Sequence, residues 1–169
     1  MARRRSWKWS IPGIVVVALL AAFSNPSDQS VTYGDFEVVE RVVDGDTLLL
    51  QSGERVRLIG VDTPETKHPK KPVERFGKEA TAFTRQMVEG KRVRLELDPA
   101  NAQPATRTTH SRSEPWPMCF LNDGTLLNAE IIKQGYGFAL SRYPFAKMEE
   151  FRQLEREARE QGRGLWNKR

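Results

Sequence analysis

Two short stretches decide the fold of this chain: VVDGDTLLL (residues 42–50) and RVRLIGVDTPE (residues 55–65). In the first, Asp44-Gly45 stands between two runs rich in branched aliphatic residues, a pattern typical of a tight turn between two antiparallel strands. The second predicts a third strand over residues 56–61 that ends in an acidic loop. Because hairpin neighbours lie side by side, we expect both acidic groups at one end of a sheet.

The rest of the chain predicts one more strand and three helices. Apolar and charged residues alternate over residues 92–97, which is typical of a half-buried strand. Apolar residues recur every three or four positions from Val73 to Met87, so a helix is predicted there that ends near Gly90. Two further helices are predicted over residues 126–134 and 151–158, with Leu165 and Trp166 folding back onto apolar surface. This order of elements suggests a small barrel with helices at its side.

The length and composition indicate one domain with a short additional segment and exclude few functions. The 169 residues carry 27 Lys and Arg against 22 Asp and Glu. Four of the bases lie in the first 24 residues, which contain no acid, so the high pI is not evidence of a basic nucleic-acid-binding surface. Cys119 is the only cysteine, and with His68 and His110 it gives no zinc-ligand spacing.

The N-terminus has the layout of an export signal. Arg3 to Arg5 and Lys8 precede the uncharged, largely apolar run of residues 11–23. We expect residues 1–24 to be a signal peptide or an uncleaved N-terminal membrane anchor through residues 11–23, followed by a linker over residues 25–32. A buried core helix is the alternative interpretation. The expected location is therefore periplasmic or secreted, with or without anchoring.

The candidate chemistry is concentrated in the two acidic stretches. Asp44, Asp46, Asp62 and Glu65 would repel one another if they met, and a hard cation such as calcium or magnesium would relieve that repulsion. Arg57 precedes Asp62 on the same predicted strand and could bind a phosphate through two donors. Each residue also has a structural interpretation, as a turn, a loop cap or a surface strand residue. Their combination favours a phosphodiester hydrolysis site.

These motifs resemble the staphylococcal nuclease family. The resemblance rests on VDGDT (residues 43–47), RLIGVDTPE (57–65), TKHPKK (66–71) and FGKEA (76–80). Further downstream it includes NDG (122–124), Asn128, QG (134–135) and GLW (164–166). It covers roughly residues 33–166, and the two acidic motifs at this spacing are its most specific part.

The resemblance implies an α+β fold, a five-stranded OB-fold β-barrel with three helices, over residues 33–167. It implies Ca²⁺ held by the carboxylates of Asp46 and Asp62 and by the backbone carbonyl of Thr63. Glu65 would position or deprotonate the attacking water, and Arg57 would bind the phosphate and the charge that builds on it. The expected substrate is DNA or RNA, cleaved with little sequence preference to leave a 3′-phosphate. We expect the protein to be a monomer.

One stretch departs from the family pattern. The family has a second active-site arginine followed by a strand, where this chain reads SEPWPMCF (residues 113–120). Two prolines so close together disfavour a central strand. The stretch from 99 to 119 is interpreted either as a compensated frameshift or as a divergent surface loop. The missing arginine supports a second hypothesis, a catalytically weak or inactive nuclease-like domain that binds nucleic acid or protein.

Overall fold

A computed structural model of the chain describes residues 34–66, 72–99, 116–142 and 144–167. The predicted signal or anchor and the linker lie outside these ranges, as do residues 100–115 of the departing stretch. In the part of the chain that the structure describes, no helix has the length and apolar character needed to cross a membrane.

The described residues form seven strands, three helices and one 3₁₀ turn. The strands are β1 (Phe36–Asp44), β2 (Thr47–Leu50), β3 (Arg55–Arg57), β4 (Val61–Asp62), β5 (Arg92–Leu97), β6 (Pro117–Leu121) and β7 (Phe138–Ala139). The helices are α1 (Gly77–Val88), α2 (Leu127–Lys133) and α3 (Met148–Glu160), and the 3₁₀ turn covers Gly164–Trp166.

The strands form an antiparallel five-stranded sheet in the order β3-β2-β1-β5-β6 and a two-stranded sheet of β4 and β7. Asp44 pairs with Thr47, so the predicted turn between β1 and β2 consists of Gly45 and Asp46. This sheet with three helices confirms the predicted α+β class and is consistent with an OB-like barrel.

The predicted third strand is interrupted. Residues 56–61 were expected to continue as one strand, but β3 ends at Arg57 and β4 begins at Val61. Gly60 between them has a φ of 72°, and a Cβ atom there would lie 2.4 Å from the ring of Phe145. The backbone turns away from β2 because this left-handed glycine and the close ring leave no room for a straight strand.

This interruption brings the two outer strands of the sheet together. The Ile59 amide donates to the Pro117 carbonyl at 3.1 Å, so the chain after β3 meets the start of β6. Asn128 of α2 is fully buried and donates to the carbonyls of Ile59 (2.9 Å) and Pro117 (3.3 Å). Its side-chain oxygen accepts from the Cys119 amide at 2.9 Å. These contacts close the barrel.

Pro117 is compatible with a strand because of its position. It is the first residue of β6, and β6 is the last strand in the order of the five-stranded sheet. A proline is tolerated at the start of an edge strand, where its missing N–H costs no ladder hydrogen bond.

Helix α1 begins later than the apolar pattern predicts. Val73 lies before the helix and is 48% exposed, so its place in the predicted stripe was wrong. The buried residues of α1 are mostly small or carry hydroxyl groups: Gly77, Ala80, Thr81, Thr84 and Val88. The apolar period located the helix and the side of it that packs on the core, where Ala80 is buried and Phe83 and Met87 are partly buried. It did not include Thr81 and Thr84, whose hydroxyls are buried through hydrogen bonds.

The C-terminal turn folds back as expected. The ring of Trp166 meets that of Phe138 edge to face at 5.4 Å, and the Arg159 guanidinium lies 4.1 Å over the Trp166 ring centroid. The prediction that this turn covers apolar surface is confirmed.

Candidate active site

Asp46 is the most deeply buried carboxylate of the cluster, with 2% of its surface exposed. One oxygen accepts hydrogen bonds from Arg57 and from the Thr47 hydroxyl, both at 2.9 Å, and the other accepts from the Thr63 amide at 2.9 Å. Burial raises the pKa of Asp46 above its ordinary value, although the Arg57 charge and these hydrogen bonds act in the opposite direction. The Arg57 charge and the hydrogen bonds therefore do not fully offset the cost of burying the ionised Asp46 side chain.

Arg57 joins the two acidic stretches. It pairs with Thr47 across β2 and β3 and therefore lies at the end of the sheet where the turn between β1 and β2 is found. Its two terminal nitrogens donate separately, Nη1 to Asp46 at 2.9 Å and Nη2 to Asp62 at 2.8 Å. The Arg57 side chain is 31% exposed and that of Asp62 is 51% exposed. The structure thus brings Asp46, Arg57 and Asp62 together, with one side of the group open to solvent.

Asp44 organises the backbone behind this group. One of its oxygens accepts from the Gly45 amide (2.9 Å) and from the hydroxyls of Thr66 (2.8 Å) and Thr81 (3.2 Å). Burial raises the pKa of Asp44, but hydrogen bonds with Glu65, Thr66 and Gly45 outweigh it, so the pKa lies below its ordinary value. Asp44 holds the turn, the acidic loop and α1 in contact.

Glu65 lies next to Asp44 rather than between Asp46 and Asp62. It is half-buried, its side chain hydrogen-bonds to Asp44, and its amide donates to Glu74 at 3.1 Å. Within the described residues, no group of three or more His, Cys, Asp or Glu side chains has a metal-binding arrangement. The predicted ligands Asp46 and Asp62 are instead bridged by Arg57.

Two threonines of α1 were missed by the sequence analysis. The Thr84 hydroxyl donates to the Gly45 carbonyl at 2.7 Å, and the Thr81 hydroxyl donates to Asp44. Both threonines are buried. Their spacing of three places them on one helix face, a signal that is present in the sequence and that the apolar pattern does not include.

The donors around Thr63 are compatible with a hard cation. Asp46, Asp62 and the Thr63 carbonyl offer only oxygen atoms, which calcium prefers. The Thr63 hydroxyl is buried without a hydrogen-bond partner among the described residues. Burial raises the pKa of Asp46 and the Asp44 charge raises it further, so a divalent cation would reduce the repulsion between these two carboxylates. On these observations the residues fit calcium.

Gly45 and Gly137 keep this region compact. A Cβ atom on Gly45 would lie 2.7 Å from the Thr63 hydroxyl oxygen, and one on Gly137 would lie 3.1 Å from the Asp62 carbonyl oxygen. The turn between β1 and β2 and the start of β7 therefore pack directly against the acidic loop. A side chain at Gly45 would displace Thr63.

Comparisons with known proteins agree with the fold and the motifs. The family model described as staphylococcal nuclease homologue matches residues 55–168. A thermonuclease from Staphylococcus intermedius is 34% identical over 167 aligned residues, which cover 94% of this chain and 95% of that protein. A thermonuclease from Staphylococcus hyicus is 31% identical and covers 87% of this chain and 81% of its own length.

A more distant relative shares only the domain. Endonuclease YhcR of Bacillus subtilis is 28% identical over 148 residues, which cover 79% of this chain but 12% of that protein. The match to the family model over most of the chain, and the near full-length similarity to two thermonucleases, are decisive for the family. The chain belongs to the staphylococcal nuclease family.

Proposed function

We propose that the protein is a calcium-dependent nuclease that hydrolyses phosphodiester bonds of DNA or RNA with little sequence preference and leaves 3′-phosphate ends. The observation that carries this proposal is the Arg57 guanidinium bound to both Asp46 and Asp62, beside the loop that carries Glu65. A cation-binding pair of carboxylates and a phosphate-binding arginine thus share one partly open site. Membership of a family that includes thermonucleases supports the same activity.

The carboxylates of Asp46 and Asp62 and the Thr63 carbonyl would hold the calcium ion. When bound, calcium supplies positive charge that stabilises the negative charge developing on the phosphate. The buried position of Asp46 and the hydrogen bond from the Thr63 amide fix one carboxylate before any ligand binds. Asp62 is exposed enough to adjust its position.

Arg57 is suited to bind the scissile phosphate. A guanidinium has five N–H donors, and the two ion pairs use only part of them. Its planar fork can address two phosphate oxygens, and its partial burial lowers the dielectric screening around the bond that is cleaved. Arg57 would therefore stabilise the charge that builds on phosphorus during attack.

Glu65 would accept the proton of the attacking water. The water oxygen would form a bond to phosphorus while the bond from phosphorus to the 5′ oxygen breaks. The 5′ oxygen would leave with the bonding electron pair and take a proton from solvent, and the phosphate would stay on the 3′ oxygen. Glu65 shares a hydrogen bond with the low-pKa Asp44, and such a bond between two carboxyl groups needs a proton on one of them. To act as the base, Glu65 would have to leave Asp44 in its ionised form and turn toward the water.

The test is DNA digestion by the purified full chain with calcium, with magnesium and with a chelator. We expect cleavage with calcium, little with magnesium because that ion prefers tighter octahedral geometry, and none with chelator. Glu65→Gln keeps the shape but removes the base, and we expect a rate about 100- to 1,000-fold lower, by analogy with losing one transition-state contact. Its free energy of unfolding should change by less than about 1 kcal/mol.

Glu79→Gln is the matched control, because Glu79 is an exposed glutamate of α1 outside the cluster. It should digest DNA like the parent. Full activity in chelator would contradict the calcium site. A normally folded Glu65→Gln variant that is as fast as the parent would remove Glu65 from the mechanism.

A second candidate function is nucleic-acid or protein binding with weak or no catalysis. It is favoured by the ion pairs that Arg57 makes to both candidate ligands, and by the lack of a three-residue metal cluster among the described residues. Binding of DNA in chelator without digestion in calcium would support this function over the nuclease.

We also propose that the protein acts outside the cytoplasm. The basic stretch and the apolar run before Ser24 support this location. The chain would reach its substrate either as a released protein or anchored through residues 11–23.

A further inference from the structure

A row of aromatic and cationic side chains crosses three strands, away from the acidic site. Phe36 of β1 pairs with Arg94 of β5, and Arg94 pairs with Phe120 of β6. Side chains directly opposite on antiparallel strands project from the same face, so ring, guanidinium and ring alternate across the sheet. Arg92 extends the row, because its guanidinium carbon lies 5.1 Å over the centre of the Phe36 ring.

This row lies on the outer face of the barrel. Val93 and Leu95 alternate with Arg92 and Arg94 along β5, and both are fully buried in the core. Phe36 is 48% exposed and is one of two large hydrophobic side chains exposed among the described residues, the other being Val73. This face therefore presents a half-exposed aromatic ring beside two arginines.

Each of the two arginines lies over a ring. The Arg94 guanidinium carbon lies 5.2 Å over the centre of the Phe120 ring, much as Arg92 lies over Phe36. A guanidinium placed over a ring face can still donate its N–H groups to an anion. In the described part of the chain, Arg92 makes no hydrogen bond or ion pair through its side chain, whereas Arg94 pairs with Glu96.

A shallow cleft continues the row at the end of β5 and β6. It has a volume of about 360 Å³ and is lined by Lys91, Arg92, Leu121, Asn122 and Asp123. The Asp123 carboxylate accepts the Thr125 amide of its own turn at 2.9 Å. Two carboxylates therefore lie near the three basic residues of this surface, Lys91, Arg92 and Arg94. The Glu96 carboxylate is paired with Arg94, and the Asp123 carboxylate bonds to its own turn.

We propose that this surface, formed by Phe36, Arg92, Arg94 and Phe120 with the adjoining Lys91, binds a single strand of nucleic acid at a distance from the cleavage site. Rings and guanidinium planes can stack on bases of any sequence, while the arginine and lysine N–H groups contact phosphates. This inference rests on the proposed function, because a polymeric substrate is what would connect the two sites.

The dimensions of β1 suit such an extended contact. Phe36 and Asp44 are the two ends of this nine-residue strand, so they lie about 26 Å apart at about 3.3 Å per residue. Single-strand binding sites on OB folds cover about 4–16 nucleotides. A long strand can therefore occupy both sites, whereas a dinucleotide at Arg57 cannot reach Phe36.

The test measures binding without cleavage. The full chain is titrated in chelator against a fluorescent single-stranded oligothymidylate of about 20 nucleotides, and fluorescence anisotropy gives the Kd. We expect Phe36→Ala to weaken binding about 5- to 100-fold. Arg92→Ala should reduce the slope of log K against log salt by about 0.7, the value for one lost contact to a single-strand phosphate.

Arg156→Ala is the matched charge control, because Arg156 is an exposed arginine of α3 away from the row. It should leave both Kd and salt slope near the parent values. Thermal unfolding of each variant confirms that Phe36→Ala and Arg92→Ala are folded. In calcium, the same two variants should raise KM for the long strand and leave kcat/KM for a thymidine dinucleotide unchanged.

Two outcomes overturn the inference: a parent that does not bind the long strand, or folded Phe36→Ala and Arg92→Ala variants that bind it as tightly as Arg156→Ala. Failure of the proposed function is a different result. A parent that binds in chelator, with these effects of substitution, but digests nothing in calcium would refute the nuclease and retain the surface.

Discussion

Replacing Asn128 by alanine tests whether one buried side chain closes the barrel. Asn128 donates to the carbonyls of Ile59 and Pro117 and accepts from the Cys119 amide. After Asn128→Ala, the Pro117 carbonyl keeps the Ile59 amide as a partner. The Cys119 amide and the Ile59 carbonyl lose their Asn128 contacts in a fully buried environment.

The expected loss follows from those two groups. A buried polar group left without a partner costs about 1–3 kcal/mol, so two groups give a loss of about 2–6 kcal/mol in the free energy of unfolding. Since domains are typically stable by about 5–15 kcal/mol, this loss would remove a large share of the free energy of unfolding. Ile59 also lies between Arg57 and Asp62, so the remaining folded protein should digest DNA more slowly.

Urea unfolding followed by tryptophan fluorescence measures the effect, since Trp116 and Trp166 lie in the folded part. Asn122→Ala is the control, because Asn122 is exposed and its replacement should change stability by less than about 0.5 kcal/mol. A loss of less than about 1 kcal/mol for Asn128→Ala, with an unchanged urea dependence, would refute the closing role of this residue.

Two further predictions concern the buried thiol and the N-terminus. Burial raises the pKa of Cys119 to about 12, whereas the unfolded thiol titrates near 9. As the pH rises above about 9, the unfolded chain loses the proton first, so stability should fall by up to about 1.4 kcal/mol per pH unit. Urea unfolding at about pH 8 and pH 10 should show a lower free energy of unfolding at the higher pH, with a larger decrease in the parent than in Cys119→Ala. An equal decrease in the two proteins would contradict this prediction. For the N-terminus, mass spectrometry of the exported protein should find a chain beginning near Asn25, or an intact one if residues 11–23 remain as an anchor. Protein found only in the cytosolic fraction would exclude both forms.

Much of the fold follows from local patterns. The Asp44-Gly45 signal located the turn between β1 and β2 within one residue. Gly45 has no positive φ there, and the structure needs a glycine because the Thr63 side chain leaves no room for a Cβ atom. Alternation along residues 92–97 matched β5, whose two faces have different surroundings. The helix before Gly135 was not extended too far either, because glycine ends helices by its own backbone preference.

The composition of the candidate site was also visible in the sequence. Asp46 and Asp62 were placed at one end of the sheet from strand neighbourhood alone, and the structure brings both within hydrogen-bonding distance of Arg57. Their catalytic roles stay predictions. Asp44 was seen as part of the acidic group but not as the residue that ties the turn to the acidic loop and α1.

Only the tertiary structure decided how remote segments meet. Nothing within residues 56–61 shows that the strand breaks where the ring of Phe145, far along the chain, approaches Gly60. Nothing near Asn128 shows that it bonds to Ile59, 69 residues away. Periodicity and turn preferences depend on neighbouring residues and can therefore be read locally. Barrel closure, the buried hydroxyls of α1 and the contact between Glu65 and Asp44 depend on packing between distant parts of the chain, which sequence spacing does not encode.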